Sequence, residues 1–305
     1  MYEKDGERYF IVDGHVHFWK PTEDGFRRQS EETISHDLFE TGYVDHAIFQ
    51  PADPDGAAPG SALTERYPGR FTVAGLEPVV GNIKGVKLVT TEQAGRQLSD
   101  PCSYRFLEKC QEFGIRNVHL HAAPSIRPFD RDGTDGSGGP DGPDGADASA
   151  AFDAAGLDEV AAAFPDLRFI VEHVGLARLQ DFCWIATQEP NVYAGLALAL
   201  PAILTRPRQF AEIVGELLYW MDENRIIFAS DYGRQHPKWL IESFVDFEMP
   251  EDFQDEYGEL TTDVKKKILG LNAARLYDLE VPDGCGTTEA AAERDEIGSN
   301  SKVPV

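Results

Sequence analysis

Ile11-Val12-Asp13-Gly14-His15-Val16-His17-Phe18-Trp19 is the stretch whose reading decides the fold. An apolar run, β-branched at its start, leads into two histidines one residue apart. On a β-strand successive side chains point to opposite faces, so residues two apart share a face. His15 and His17 therefore project side by side, and two imidazoles so placed can hold one metal ion. An H-x-H pair is short, and ordinary half-buried histidines produce it too. Its meaning depends on whether the rest of the chain supplies further ligands.

Working outward, residues 10–18 read as the first of eight strands, followed by 44–50, 71–76, 83–89, 115–121, 167–173, 191–200 and 225–231. Helical patterns occupy 30–42, 100–113, 152–164, 176–187, 207–222, 237–247 and 261–276. The helix at 100–113 is bounded by Asp100-Pro101 at its start and Gly114 at its stop. Strands alternating with helices are the pattern of a parallel sheet, and eight of them predict a closed (β/α)8 TIM barrel. Such a barrel takes about 250 residues, which fits a single domain over residues 1–280. Residues 130–150, rich in Asp and Gly, read as an acidic loop without fixed structure, and 281–305 as an acidic tail of the same kind. Catalytic groups of such barrels stand at the C-terminal ends of the strands. His15 and His17 on strand one, His121 on five, His173 on six and Asp231 on eight all fall there. Scatter would be expected if these were unrelated structural residues.

The chain carries 53 acidic against 28 basic residues and a formal net charge of −25. Phosphate backbones need a basic footprint, so nucleic acid is excluded as a partner, and anionic membrane surfaces repel such a chain. Acidity spread through loops, helices and tail reads as halophilic. Charge far from zero keeps a protein soluble at the cost of self-repulsion, and molar salt screens that repulsion over about 3 Å. The cysteines Cys102, Cys110, Cys183 and Cys285 form no C-x-x-C pair, and the charged N-terminus has no apolar signal core. Free thiols in the reducing cytoplasm are the expectation. The longest apolar run, residues 192–204, is shorter than the roughly 20 residues a membrane span needs. The expected partner is a small-molecule substrate, with association into a homo-oligomer left open.

Five segments carry a family resemblance: Asp13-Gly14-His15-Val16-His17, His119-Leu120-His121, Val171-Glu172-His173-Val174-Gly175, Phe228-Ala229-Ser230-Asp231-Tyr232 and Asn272-Ala273-Ala274-Arg275-Leu276-Tyr277. In this order they resemble the amidohydrolase superfamily, in the amidohydrolase-related branch of aminocarboxymuconate-semialdehyde decarboxylase-like enzymes. The resemblance implies that His15, His17, His121 and Asp231 hold a divalent metal, zinc by expectation, with His173 as the catalytic histidine beside it. Neutral imidazoles and one carboxylate suit Zn²⁺, with a position left open for water or substrate. Asp231 has a second task in this reading, accepting the water's proton, while His173 protonates a carbanion or stabilises an oxyanion.

Other residues carry weaker readings. His119 shares a face with His121 but lies one layer deeper, as a hydrogen-bonded core histidine. Glu172 points away from His173 on a straight strand and reads as structural. Arg127 is a candidate partner for a substrate carboxylate, Gln50 a candidate hydrogen-bonding group at the mouth, and Trp19 a candidate pocket wall. His236 reads as a loop residue, and Asn272 as the anchor of the last helix. Two departures from the family pattern stand out. Only residues 77–82 separate strands three and four, too few for a crossover helix, which predicts a short third strand or a barrel that gapes there. Ala122-Ala123 follows the strand-five histidine where relatives carry lysine and glycine.

These features predict a metal-dependent hydrolase acting on a small cyclic or carboxylated substrate through a metal-activated water. A non-oxidative decarboxylase on the same site is the alternative, for which Arg127, Arg206 and Arg234 are the candidate carboxylate clamps. A non-catalytic homologue acting as a pathway assembly protein is the third reading.

Overall fold

The structure, a computed structural model, describes residues 1–17, 30–51, 63–79, 83–89, 97–121, 154–175, 178–233 and 235–288. Eight parallel strands form the barrel: β1 Val12–Val16, β2 His46–Phe49, β3 Phe71–Gly75, β4 Gly85–Val89, β5 Asn117–His121, β6 Arg168–Val171, β7 Val192–Gly195 and β8 Ile226–Ile227. Each pairs with its neighbour in chain order. The ring closes where Val16 bridges Tyr232 and the Gly14 N–H donates to the Phe228 carbonyl at 2.9 Å. Glycine is needed there, because a Cβ at Gly14 would sit 2.8 Å from Ile227 Cγ2 and 3.0 Å from the Phe228 carbonyl oxygen. An antiparallel hairpin, Tyr2–Lys4 with Glu7–Tyr9, precedes β1 and had no clear sequence signal.

Helices cover the outside. They include α1 Glu31–Ser35, α2 Pro101–Glu112, α3 Ala154–Ala163, α4 Leu179–Gln188, α5 Pro207–Trp220 and α6 Pro237–Asp246. Three of these open on proline, whose missing N–H costs nothing in the first turn. Strand residues alternate between two apolar layers. Val118, Leu120, Phe169 and Val171 face outward against Leu107, Val160 and Phe182. Val12, Ile48, Ala74, Ile170 and Ile227 face inward and close the barrel floor with Leu276 and Tyr277 of the last helix. Burying a large apolar side chain contributes roughly 1.5–3 kcal/mol, so the outer layer does most to hold helices on the sheet. Asn272 anchors the last helix as expected, donating to the carbonyls of Glu223 at 2.7 Å and Ile226 at 2.8 Å.

Two expectations are corrected. The barrel does not gape between β3 and β4: Ala74 pairs with Gly85 and Gly75 with Val86. An extended chain covers about 3.3–3.6 Å per residue, and a strand of this length is roughly 17 Å. Residues 76–84 can therefore run back without a helix, and none of the described ones is helical. The tail boundary also moves. Residues 281–288 pack on the domain, with Cys285 fully buried in the floor cluster and the Thr288 N–H bonded to Asp263. A lone apolar thiol between polar residues has no period to betray it. The remainder of the expected tail, and the acidic loop at 130–150, lie outside the described residues.

Candidate metal centre

The centre starts at the C-terminal end of β1. His15 and His17 are buried and their rings meet nearly edge-on, with Nε2 atoms 2.5 Å apart. Their other nitrogens are committed. His15 Nδ1 donates to the Glu172 carboxylate, and His17 Nδ1 donates to the Gln50 carbonyl at 2.8 Å. Each Nδ1–H fixes the tautomer and turns an Nε2 lone pair toward its neighbour. Asp231 Oδ1 lies 3.5 Å from both Nε2 atoms. Two imidazole lone pairs and a carboxylate oxygen facing one point are electron donors without a proton between them, and this donor set fits a divalent cation. Burial, with Lys87 and His15 nearby, holds His17 well below the usual imidazole range, so it stays neutral as a ligand must.

Asp231 and His173 share a backbone feature. Their φ angles are +54° and +65°, in the left-handed region that non-glycine residues rarely occupy. β6 ends at Val171, and the tight turn at residues 172–175 swings His173 round until its ring centroid is 5.4 Å from that of His15. Burial and His15 push His173 down to about 3. Strain of this kind concentrates where side-chain placement matters more than backbone comfort. Asp13 braces Asp231 from behind. Its carboxylate accepts from the Ser230 N–H at 2.9 Å, the Ser230 hydroxyl at 2.5 Å and the His15 N–H at 3.2 Å, tying the ends of β1 and β8 together. Burial raises Asp13 to about 6 against these bonds.

A buried polar chain runs beneath the centre. The Tyr277 hydroxyl donates to His119 Nε2, His119 Nδ1 donates to Glu172 Oε1 at 2.6 Å, and the other Glu172 oxygen takes the His15 proton. Gln50 Nε2 adds bonds to Glu172 Oε1 at 2.8 Å and to the Gly14 carbonyl at 3.0 Å. Burial works to raise the Glu172 carboxyl, but His15 and His119 outweigh it and hold it well below the usual range. His119 is lowered by burial, and Tyr277 is raised well above its ordinary value.

The structure thus gathers His15, His17, Asp231 and His173. His121 stands at the end of β5, in register with Val89, while its side chain, Trp19, Arg127 and Arg234 lie outside the described residues. Gln50 supports the ligands and also keeps its Oε1 buried with no donor among the described residues. His119 is the hydrogen-bonded core histidine the sequence suggested. Arg206 is exposed and bonds Gln209 on its own helix, and His236 caps α6 by accepting from the Lys238 N–H. Sequence reasoning missed Asp13 and Tyr277, and it missed Lys87, which is buried on β4 opposite His119. It set Glu172 aside on strand alternation. On a continuous strand Ile170 and Glu172 face inward and His173 outward; the turn after Val171 lets both reach the centre. A lysine in the apolar run Ile83-Lys84-Gly85-Val86-Lys87-Leu88-Val89 was the available signal.

A family model described as Amidohydrolase matches residues 44–279. Among solved structures, an uncharacterised TIM-barrel protein from Bordetella bronchiseptica superposes with a TM-score of 0.62 at 17% identity, covering 88% of this chain and 98% of that one. A 5-carboxyvanillate decarboxylase from Novosphingobium aromaticivorans, complexed with manganese and 4-hydroxy-3-methoxy-5-nitrobenzoic acid, gives 0.60 at 16%, covering 89% and 96%. A putative 2-pyrone-4,6-dicarboxylic acid hydrolase from Pseudomonas putida gives 0.58 at 15%, covering 90% and 100%. At such identities the likeness is one of fold. No curated protein matches the sequence.

Proposed function

The chain belongs to the amidohydrolase family, and from that premise we propose a metal-dependent hydrolase that opens a C–O or C–N bond in a small cyclic or carboxylated substrate. The observation that carries this reading is the convergence of His15 Nε2, His17 Nε2 and Asp231 Oδ1 beside His173. We assign His121 as a further ligand from its place at the end of β5. His15, His17 and Asp231 would hold a divalent ion there, and it would supply Lewis acidity to polarise a carbonyl and to acidify bound water toward a pKa of about 7. In this reading the Asp231 carboxylate would take the proton that such a water gives up. Burial pushes the His173 pKa down to about 3 while its ring bonds the Ala197 backbone, which suits it to orient substrate or stabilise an oxyanion by hydrogen bonding rather than to take up a proton. Gln50 Oε1 offers a buried acceptor to a substrate hydroxyl.

The donor set suits zinc, while the decarboxylase of like fold carries manganese. That same fold supports a second reading, non-oxidative decarboxylation on these residues. We further read the net charge of −25 as an adaptation to molar salt, and the four free thiols as suited to a reducing cytoplasm. No helix among the described residues is long and apolar enough to cross a membrane.

One experiment separates the readings. The protein is loaded with Zn²⁺ or Mn²⁺ in molar KCl and given pyrone and lactone carboxylates and hydroxybenzoates, with acid release and CO₂ release followed in parallel. Ring opening without CO₂ supports the hydrolase, and CO₂ alone supports the decarboxylase. A protein that binds no stoichiometric metal and turns over nothing overturns both enzyme readings and leaves the non-catalytic one.

A further inference from the structure

Lys87 stands at the middle of β4, paired in register with His119 on β5. Its neighbours Val86 and Leu88 belong to the outer apolar layer, so alternation turns Lys87 inward with His119 and Glu172. Its residue is only 4% exposed. The ammonium acts electrostatically on His17, His119 and His173, and is itself acted on by Glu172 and Asp231, which places it among the residues of the centre. Glu172 and Asp231 act on the ammonium through their charge, against the burial that lowers its pKa. The nearby anions are already engaged: Glu172 holds His15, His119 and Gln50, and Asp231 faces the two histidines.

Keeping an ammonium this deep in the barrel is costly, and burial holds it below the usual lysine range. A purely structural lysine would be expected to touch one of those carboxylates. An apolar residue of the same length would fill the space without the charge. Arg206, an arginine the sequence offered as a cationic clamp, is exposed and engaged with Gln209. We propose that Lys87 is the cation that receives a carboxylate of the substrate, making it the residue that selects anionic over neutral substrates. This rests on the metal centre above being the substrate site. A carboxylate bonded to Lys87 Nζ would stand over His119 and Glu172, at the side of the barrel opposite β1 and β8, and so would direct the rest of the substrate toward His15, His17 and Asp231.

The test uses the metal-loaded protein and calorimetric binding of isophthalate, a plain aromatic dicarboxylate, with its dimethyl ester as the neutral control. Wild type is expected to bind isophthalate and to discriminate against the ester. Lys87→Met is expected to weaken isophthalate about 10- to 100-fold, the range for a hydrogen bond to a charged group, with metal content unchanged. Lys87→Arg should retain part of the binding that Lys87→Met loses. Replacing a buried charge by an apolar chain of similar volume tends to hold or raise stability, so Lys87→Met should keep its Tm. Loss of metal or a sharp fall in Tm in both variants would overturn the proposal and make Lys87 a counter-ion of Glu172 and Asp231. Failure of wild type to bind isophthalate, or equal weakening of acid and ester, overturns it as well. Isophthalate binding that depends on Lys87 in a protein that turns over no substrate would leave this inference standing while the proposed activity fails.

Discussion

His15 gives its Nδ1 proton to Glu172, so the nitrogen that faces the metal position is aimed by a carboxylate buried to 1% exposure. The bond fixes the imidazole tautomer and, by drawing on the Nδ1 proton, makes Nε2 the more basic donor. Outer partners of this kind typically carry 10- to 100-fold in metal affinity. Glu172→Gln is therefore expected to weaken zinc binding by about that factor, measured by competition against a chelator of known affinity. An unchanged affinity would mean that Glu172 serves His119 alone.

Tyr277 closes the same chain from the barrel floor. Its hydroxyl bonds His119 Nε2, and a Cβ at Gly85 would come 2.9 Å from that oxygen. Tyr277→Phe keeps the ring in the floor cluster and removes only the donor, leaving a buried imidazole nitrogen unsatisfied. The expected cost is about 1–3 kcal/mol, read from denaturant melts. A loss well beyond that range would indicate that the ring has shifted, and a crystal structure of the variant would show it.

The depressed pKa of His173 sets a pH dependence. The folded state keeps this ring neutral down to about 3, whereas the unfolded chain binds a proton below the ordinary value of 6.5. Between these values the unfolded state holds more protons, so stability is present above pH 6.5 and is lost as pH falls toward 3. The loss is about 1.4 kcal/mol per pH unit for one such group. Melts of metal-free protein at pH 7 and pH 5 should show wild type falling by about 2 kcal/mol more than His173→Gln. Parallel falls in the two proteins would count against the neutral ring.

The candidate ligand positions were legible because the period of a strand is two and because strand ends are where polar residues interrupt apolar runs. His15, His17, His173 and Asp231 all announced themselves in that way. What could not be read were features created by departures from regular strands. Glu172 and His173 reach one site only because β6 stops at Val171 and His173 and Val174 adopt left-handed backbone. Asp13 acts through Ser230, a contact across the closure of the barrel that no local pattern encodes. Lys87 was visible as a lysine within an apolar strand, yet its inward direction needed the register with His119. Only nine residues, 76–84, connect β3 to β4, and the strands pair all the same. The gap expected from so short a connection does not form, because a parallel return needs length and only usually a helix.

Gly14 separates the Asp13 brace from His15, and its backbone joins β1 to the end of β8 through the Phe228 carbonyl. The space beside it is closed, with Ile227 Cγ2 2.8 Å and the Phe228 carbonyl oxygen 3.0 Å from any added Cβ. The methyl of Gly14→Ala cannot be accommodated by a side-chain rotation alone, since one of the two obstacles is main chain. β1 and the Phe228–Tyr232 segment must part, and His15 and Asp231 stand on opposite sides of that seam. Overpacking of this sort costs typically about 1–3 kcal/mol. The expected result is a lower Tm together with weakened metal binding, the two measured on the same preparation by melts with and without zinc. If Gly14→Ala lowered Tm but bound zinc as wild type does, the seam would be shown to adjust without moving Asp231 relative to His15, and the coupling of barrel closure to the metal centre would be disproved.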